Sequence, residues 1–144
     1  MCTSLLVNAH LQDRYLAWAV TAAFGDNLAD SARRAAVPLH LSQDQLAQLQ
    51  SLGECLNYNG YGETLDDLFF DPAELYRQVR PYADPLAFAA ESPAYRTLKA
   101  GYADDMDQAV ALPAAESRPA GRIFLLPAEK WARRISGVFG NRLA

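Results

Sequence analysis

Apolar positions recur at helical spacing along most of the chain, and the polar residues that interrupt them are largely helix-starting residues. Leu41-Ser42-Gln43-Asp44-Gln45-Leu46 joins a capping box, Ser42 with Gln45, to a hydrophobic staple, Leu41 with Leu46. Leu46, Leu49, Leu52 and Leu56 continue as one stripe, which predicts a helix with a single buried face. Phe70-Asp71-Pro72-Ala73-Glu74-Leu75 repeats the device: Asp71 caps, Pro72 takes the first turn, and Phe70 can staple to Leu75. Asp84-Pro85 and Ser92-Pro93 are two further cap-then-proline starts. The second leads a helix carrying Tyr95, Leu98, Tyr102 and Met106 that ends before Pro113.

Arg14 to Phe24 is apolar on nearly every face, the pattern of a helix buried all round and ended by Gly25. Leu28 to Val37 reads as a short helix stopped by Pro38, and Asn57 to Gly62 as a turn-rich connection. Residues 113–121 are rich in Pro, Ala, Ser and Gly and read as a linker. Arg122-Ile123-Phe124-Leu125-Leu126 is the one convincing strand, and a helix with Trp131, Ile135, Val138 and Phe139 on one face follows it. The expected fold class is mainly α as given, with about six or seven helices plus one β-strand.

A lone strand leaves its backbone groups unpaired, and this one is apolar enough to want burial. A strand-swapped homo-oligomer would pair it. The chain also enters a helical pattern at once from Met1 and runs to Ala144 without a capping glycine. The expectation is therefore an internal piece of a larger protein, truncated at both ends.

The sequence has 144 residues, enough for one ordinary domain, and half of them are apolar. It has no basic n-region followed by an apolar segment and a cleavage site, and no run long enough to cross a bilayer. Cys2 and Cys55 lack metal-site spacing and suit a reducing cytoplasm, the expected location. Charge is uneven. From Arg118 onward there are six basic residues and one acid, Glu129, so the tail carries +5 and residues 1–117 carry −9. Such a tail fits either an anionic ligand or docking on an acidic neighbour.

Three stretches then stand out in order: Cys2–Val7 (CTSLLV), Ala22–Asn27 (AAFGDN) and Leu56–Glu63 (LNYNGYGE), followed by Trp131–Asn141 (WARRISGVFGN). Together they resemble the middle of bacterial DHH-type phosphoesterases. The resemblance implies a piece of an α/β two-domain fold. Residues 1–112 would be the helical remainder of the catalytic domain with its connecting helices, 113–121 the linker, and 122–144 the start of the C-terminal substrate-binding domain. It also implies two divalent cations, Mn2+ by the family's habit, in a cage of Asp and His side chains, acting on a phosphorylated small molecule or a short oligonucleotide.

Only the family's fourth metal motif has a counterpart, Asp26. The Asp-His-His triplet, the Asp-rich first motif and the glycine-rich substrate motif of the second domain are absent from the sequence. One carboxylate cannot hold two cations, so the expectation is a hydrolase fragment inactive on its own, with no tightly bound metal. The alternative is a non-catalytic helical interaction module. Asp26 has a second reading as an N-cap or turn residue before Leu28. Arg133 and Arg134 are candidate phosphate-binding residues, with solvated arginines as the other reading. His10 and His40 are isolated and read as helix-end or surface residues, and Asp104, Asp105 and Asp107 as a solvated helix face. No pattern favours duplex DNA, a pyrophosphate cradle or a nucleophile with its base.

Overall fold

The computed structural model describes residues 2–143, so the expectations resting on Met1 and Ala144 lie outside the described residues. The fold is mainly helical. Eight α-helices appear in order: α1 (Thr3–His10), α2 (Leu16–Gly25), α3 (Ala29–Ala36), α4 (Gln43–Tyr58), α5 (Pro72–Val79), α6 (Pro85–Glu91), α7 (Pro93–Ala111) and α8 (Lys130–Leu143). Two 3-10 turns, Val37–Leu39 and Leu65–Asp67, and one hairpin of β1 (Glu116–Arg118) and β2 (Gly121–Ile123) complete it. Among the described residues no helix is long and apolar enough to cross a membrane.

The start signals act as read. Ser42 Oγ accepts from Gln45 N at 3.2 Å while Gln45 Oε1 accepts from Ser42 N at 2.9 Å, closing the capping box of α4. Asp71 Oδ1 accepts from Ala73 N and Glu74 N, Asp84 Oδ1 from Leu86 N, and Ser92 Oγ from Ala94 N. Each satisfies amides that the first helical turn leaves without partners, and the proline behind it needs none.

Helix α4 is the axis of the molecule, because successive turns feed three cores. Leu49 packs with Val20, Phe24, Ala32 and Ala36. Leu52 and Cys55 pack with Leu75, Phe88, Tyr95 and Leu98. Tyr58 packs with Met106, Ala109, Ile135 and Phe139. Leu49 and Leu52 are wholly buried, each worth roughly 1.5–3 kcal/mol of burial. Where α2 crosses α4 the backbones touch: a Cβ on Gly53 would sit 2.0 Å from Thr21 O, and one on Gly25 2.6 Å from Gly53 O. Only glycine fits there.

Three expectations need correction. The described residues form eight α-helices where six or seven were expected, and the first two, over 3–10 and 16–25, are parted at Gln12 and Asp13, both at positive φ. The strand is shorter than read and has a partner: Gly121–Ile123 pairs antiparallel with Glu116–Arg118, which lies inside the presumed linker. Both strands are exposed, while Phe124 and Leu126 leave the hairpin to pack against the third core. The lone-strand argument for missing partner strands therefore fails. Finally, Asp26 does not cap α3. Leu28 is the N-cap of that helix, with no side-chain cap, and Asp26 fulfils only the turn-residue half of its second reading, as the C-cap of α2.

Candidate functional site

The turn after α2 has a Schellman form. Asn27 takes φ +59°, its N–H bonds Phe24 O, and Leu28 N–H bonds Ala23 O. Asn tolerates that left-handed conformation better than most residues. Asp26 is thereby presented on the surface, where Oδ2 accepts from the buried Cys2 thiol at 3.2 Å. Cys2 Sγ also bonds Ser4 Oγ at 2.9 Å, and Ser4 Oγ donates to Ala19 O. A two-cation centre fits this donor set poorly: among the described residues no three His, Cys, Asp or Glu side chains group together. His10 ends α1 and His40 follows a 3-10 turn at φ +50°, both exposed, as expected.

A cleft of about 230 Å³ opens next to the turn after α2, lined by both chain neighbours of Asp26 but not by Asp26 itself, which lines a separate cavity of about 180 Å³ with Trp18, Ala22 and Leu56. Phe24, Gly25 and Asn27 come from the end of α2, Glu54, Asn57, Tyr58 and Tyr61 from α4 and the turn after it, Tyr102 from α7, and Val138 and Asn141 from α8. Burial, then Glu54, push the Tyr102 phenol above its ordinary range. Burial foremost, with Glu54 second, raises the Cys55 thiol to about 11, so it stays protonated and unreactive at neutral pH. The segment read as a plain turn also holds a structural residue: buried Asn59 donates from Nδ2 to Phe70 O at 2.9 Å and accepts from Phe70 N at 3.0 Å.

Arg133 and Arg134 lie elsewhere, on the face of α8 that docks on the body. Arg133 forks onto Asp67, Nε to Oδ2 at 2.9 Å and Nη2 to Oδ1 at 2.6 Å. Arg134 forks onto Asp105 at 2.7 and 2.9 Å, and its Nη1 reaches Asp67 O at 2.7 Å. Its guanidinium carbon stands 4.2 Å from the centroid of Phe69, whose ring in turn occupies the space a side chain at Gly101 would need. Asp105 also accepts from Tyr58 Oη at 2.7 Å, and Lys130 Nζ donates to Asp66 O at 2.6 Å. Paired forks of this kind are the strong form of charged hydrogen bond. The Arg133 guanidinium, helped by the amides of Glu63 and Thr64, holds the Asp67 carboxyl well below the usual carboxylate range. Burial, followed by the bond to Asp105, raises the Tyr58 phenol.

Asp105 thus departs from its reading as part of a solvated face. It is 3 % exposed, while Asp104 and Asp107 are exposed as expected. The two acids that receive the arginines gave no signal of their own in the sequence beyond the charge imbalance between tail and body. Comparisons with protein-family profiles, with curated protein sequences and with solved structures each gave no match.

Proposed function

We propose that the chain is the helical part of a metal-dependent, DHH-type phosphoesterase and that alone it positions and binds rather than hydrolyses. One observation carries the reading. Three of the four stretches that bear the resemblance, Ala22–Asn27, Leu56–Glu63 and Trp131–Asn141, lie far apart in sequence yet contribute to one cleft next to the turn that carries Asp26. Convergence of that kind is what a shared site requires and what three unrelated surface segments would rarely give.

In this reading Asp26 offers one carboxylate, at a rigid helix end, to a centre whose other ligands belong to further polypeptide carrying the Asp-His-His triplet. The described residues do not complete such a centre, so no catalytic step is assigned to them. Arg133 and Arg134 have their forks occupied by carboxylates, so their role here is to fix α8 on the body, and phosphate recognition falls to other groups.

The second reading, a non-catalytic helical interaction module, draws support from a different observation. Among the described residues every buried side-chain nitrogen and oxygen is hydrogen-bonded, as a self-sufficient domain requires. A manganese-dependent hydrolysis assay on a phosphodiester separates the two. It is run on the chain alone and on the chain joined to polypeptide encoded beside it. Hydrolysis only in the joined form, lost on Asp26→Asn, supports the phosphoesterase reading. Turnover by the isolated chain overturns the non-catalytic assignment, and inactivity of both forms leaves the interaction module.

A further inference from the structure

The cleft of about 230 Å³ next to the turn after α2 has a lining chemistry that hydrolysis does not explain. Four of its side chains are aromatic: Tyr61 and Tyr102 present open surface, and Phe24 and Tyr58, 2 % and 1 % exposed, form the floor beneath them. Its one formally charged side chain is Glu54, at the rim. Glu54 Oε1 accepts from Gln50 Nε2 at 2.8 Å, and among the described residues no lysine or arginine pairs with it. The tyrosines stand across one another. Tyr58 and Tyr102 are 4.8 Å apart at 82°, and Tyr58 and Tyr61 are 6.0 Å apart at 73°. Asn57 Nδ2 donates to Tyr61 Oη at 2.9 Å, which fixes the outermost ring.

From this arrangement we infer that the cleft is a binding site for a compact organic cation, a primary or quaternary ammonium group. Tyr61 and Tyr102, each packed edge to face with the buried Tyr58, form an open corner, and a corner suits a roughly spherical cation, whose attraction to a π-face does not need parallel walls. A flat heteroaromatic ring is better held between parallel faces. At about 230 Å³ the space lies below the roughly 300–1,000 Å³ of clefts that take drug-sized ligands, so a small head group is the right scale. The carboxylate supplies the net charge. Arg142 is the basic group whose field reaches Tyr102, and there Glu54 outweighs it, though burial is the larger influence on that phenol. Phe24 already receives a cation on its own account, with the Arg33 guanidinium carbon 5.8 Å from its centroid. The inference stands apart from the phosphoesterase proposal, since it needs neither metal nor hydrolysis.

The test is an NMR titration of the full chain with choline, with its neutral carbon isostere 3,3-dimethylbutan-1-ol, and with adenosine. Choline should shift the amides around Glu54 to Tyr61 and Tyr102 saturably, and the isostere should bind about tenfold more weakly. Glu54→Gln and Tyr61→Ala should each weaken choline binding by about tenfold. Glu54 is at the surface, so the unfolding midpoint of Glu54→Gln should match that of the parent chain. Equal affinity for choline and the isostere, no saturable choline shift, or adenosine binding more tightly than choline would each overturn the assignment. The choline–isostere pair decides the matter on the unmodified chain, whatever the variants do.

Discussion

Two helix contacts in this molecule are built on opposite principles. Where α2 meets α4, glycines let backbone lie on backbone, and nothing polar is required. Where α8 meets the body, an apolar seam of Ile135 and Phe139 is flanked by two arginines forked onto Asp67 and Asp105. The first contact depends on shape and is indifferent to salt or pH. The second depends on charges held away from water, so it is directional, and removing one member leaves the other stranded.

The largest expected effect therefore comes from Arg134→Met. It strands a nearly buried Asp105 and should cost about 3–5 kcal/mol in urea unfolding. Pairing it with Asp105→Leu should recover part of that loss, because an apolar pair needs no counter-charge, while the buried Tyr58 hydroxyl loses its acceptor. A double variant as weak as the single one would mean that packing, not charge, dominates this contact.

Gly53→Ala attacks the other contact. Its methyl has no room against Thr21 O, and the expected loss is about 1–3 kcal/mol, unchanged by salt. A loss that varies with ionic strength would erase the distinction between the two contacts.

Smaller again is Ser42→Ala, expected to cost about 1 kcal/mol by opening the capping box of α4. Because α4 feeds all three cores, both contacts should weaken together. Denaturant midpoints followed separately by the tryptophans of α2 and α8, Trp18 and Trp131, would show whether they do.

Acid titration should give the subtlest change. Asp67 has a depressed folded-state pKa, so its contribution is complete above the unfolded carboxylate value of about 3.9. It is lost as pH falls through the folded value. Unfolding midpoints should hold their Asp67-dependent part down to about pH 4 and lose it only below that. Asp67→Asn should remove that acid-side slope, and a slope that persists in the variant would assign it to other carboxylates.

What the sequence reveals divides along the same line. Helix starts were legible because Ser42, Asp71, Asp84 and Ser92 bond amides two or three residues on, so cause and effect share a window. The α4 stripe was legible for the same reason, although not that its turns would serve three separate cores. The hairpin was missed because Glu116-Ser117-Arg118 has no strand character, and a two-residue turn at Pro119-Ala120 brings it onto Gly121–Ile123. The Arg–Asp forks were legible only as a charge imbalance. Asp67 lies 66 residues from Arg133, and Asp105 lies 29 from Arg134, so no local pattern couples them. Asp26 was singled out by resemblance, yet its place at a C-cap follows from Asn27 taking the left-handed turn, a choice that spacing alone does not disclose.

The absent side chain at Gly101 has a reach beyond its own helix. Because α7 carries only a hydrogen there, the ring of Phe69 can lie against the helix backbone and serve as a floor for Arg134. A methyl group at 101 would lift that floor. The guanidinium would ride up with it and lose its aim at Asp105, with no charged residue altered. The electrostatics of the α8 contact are, at this point, set by the smallest steric detail in the chain.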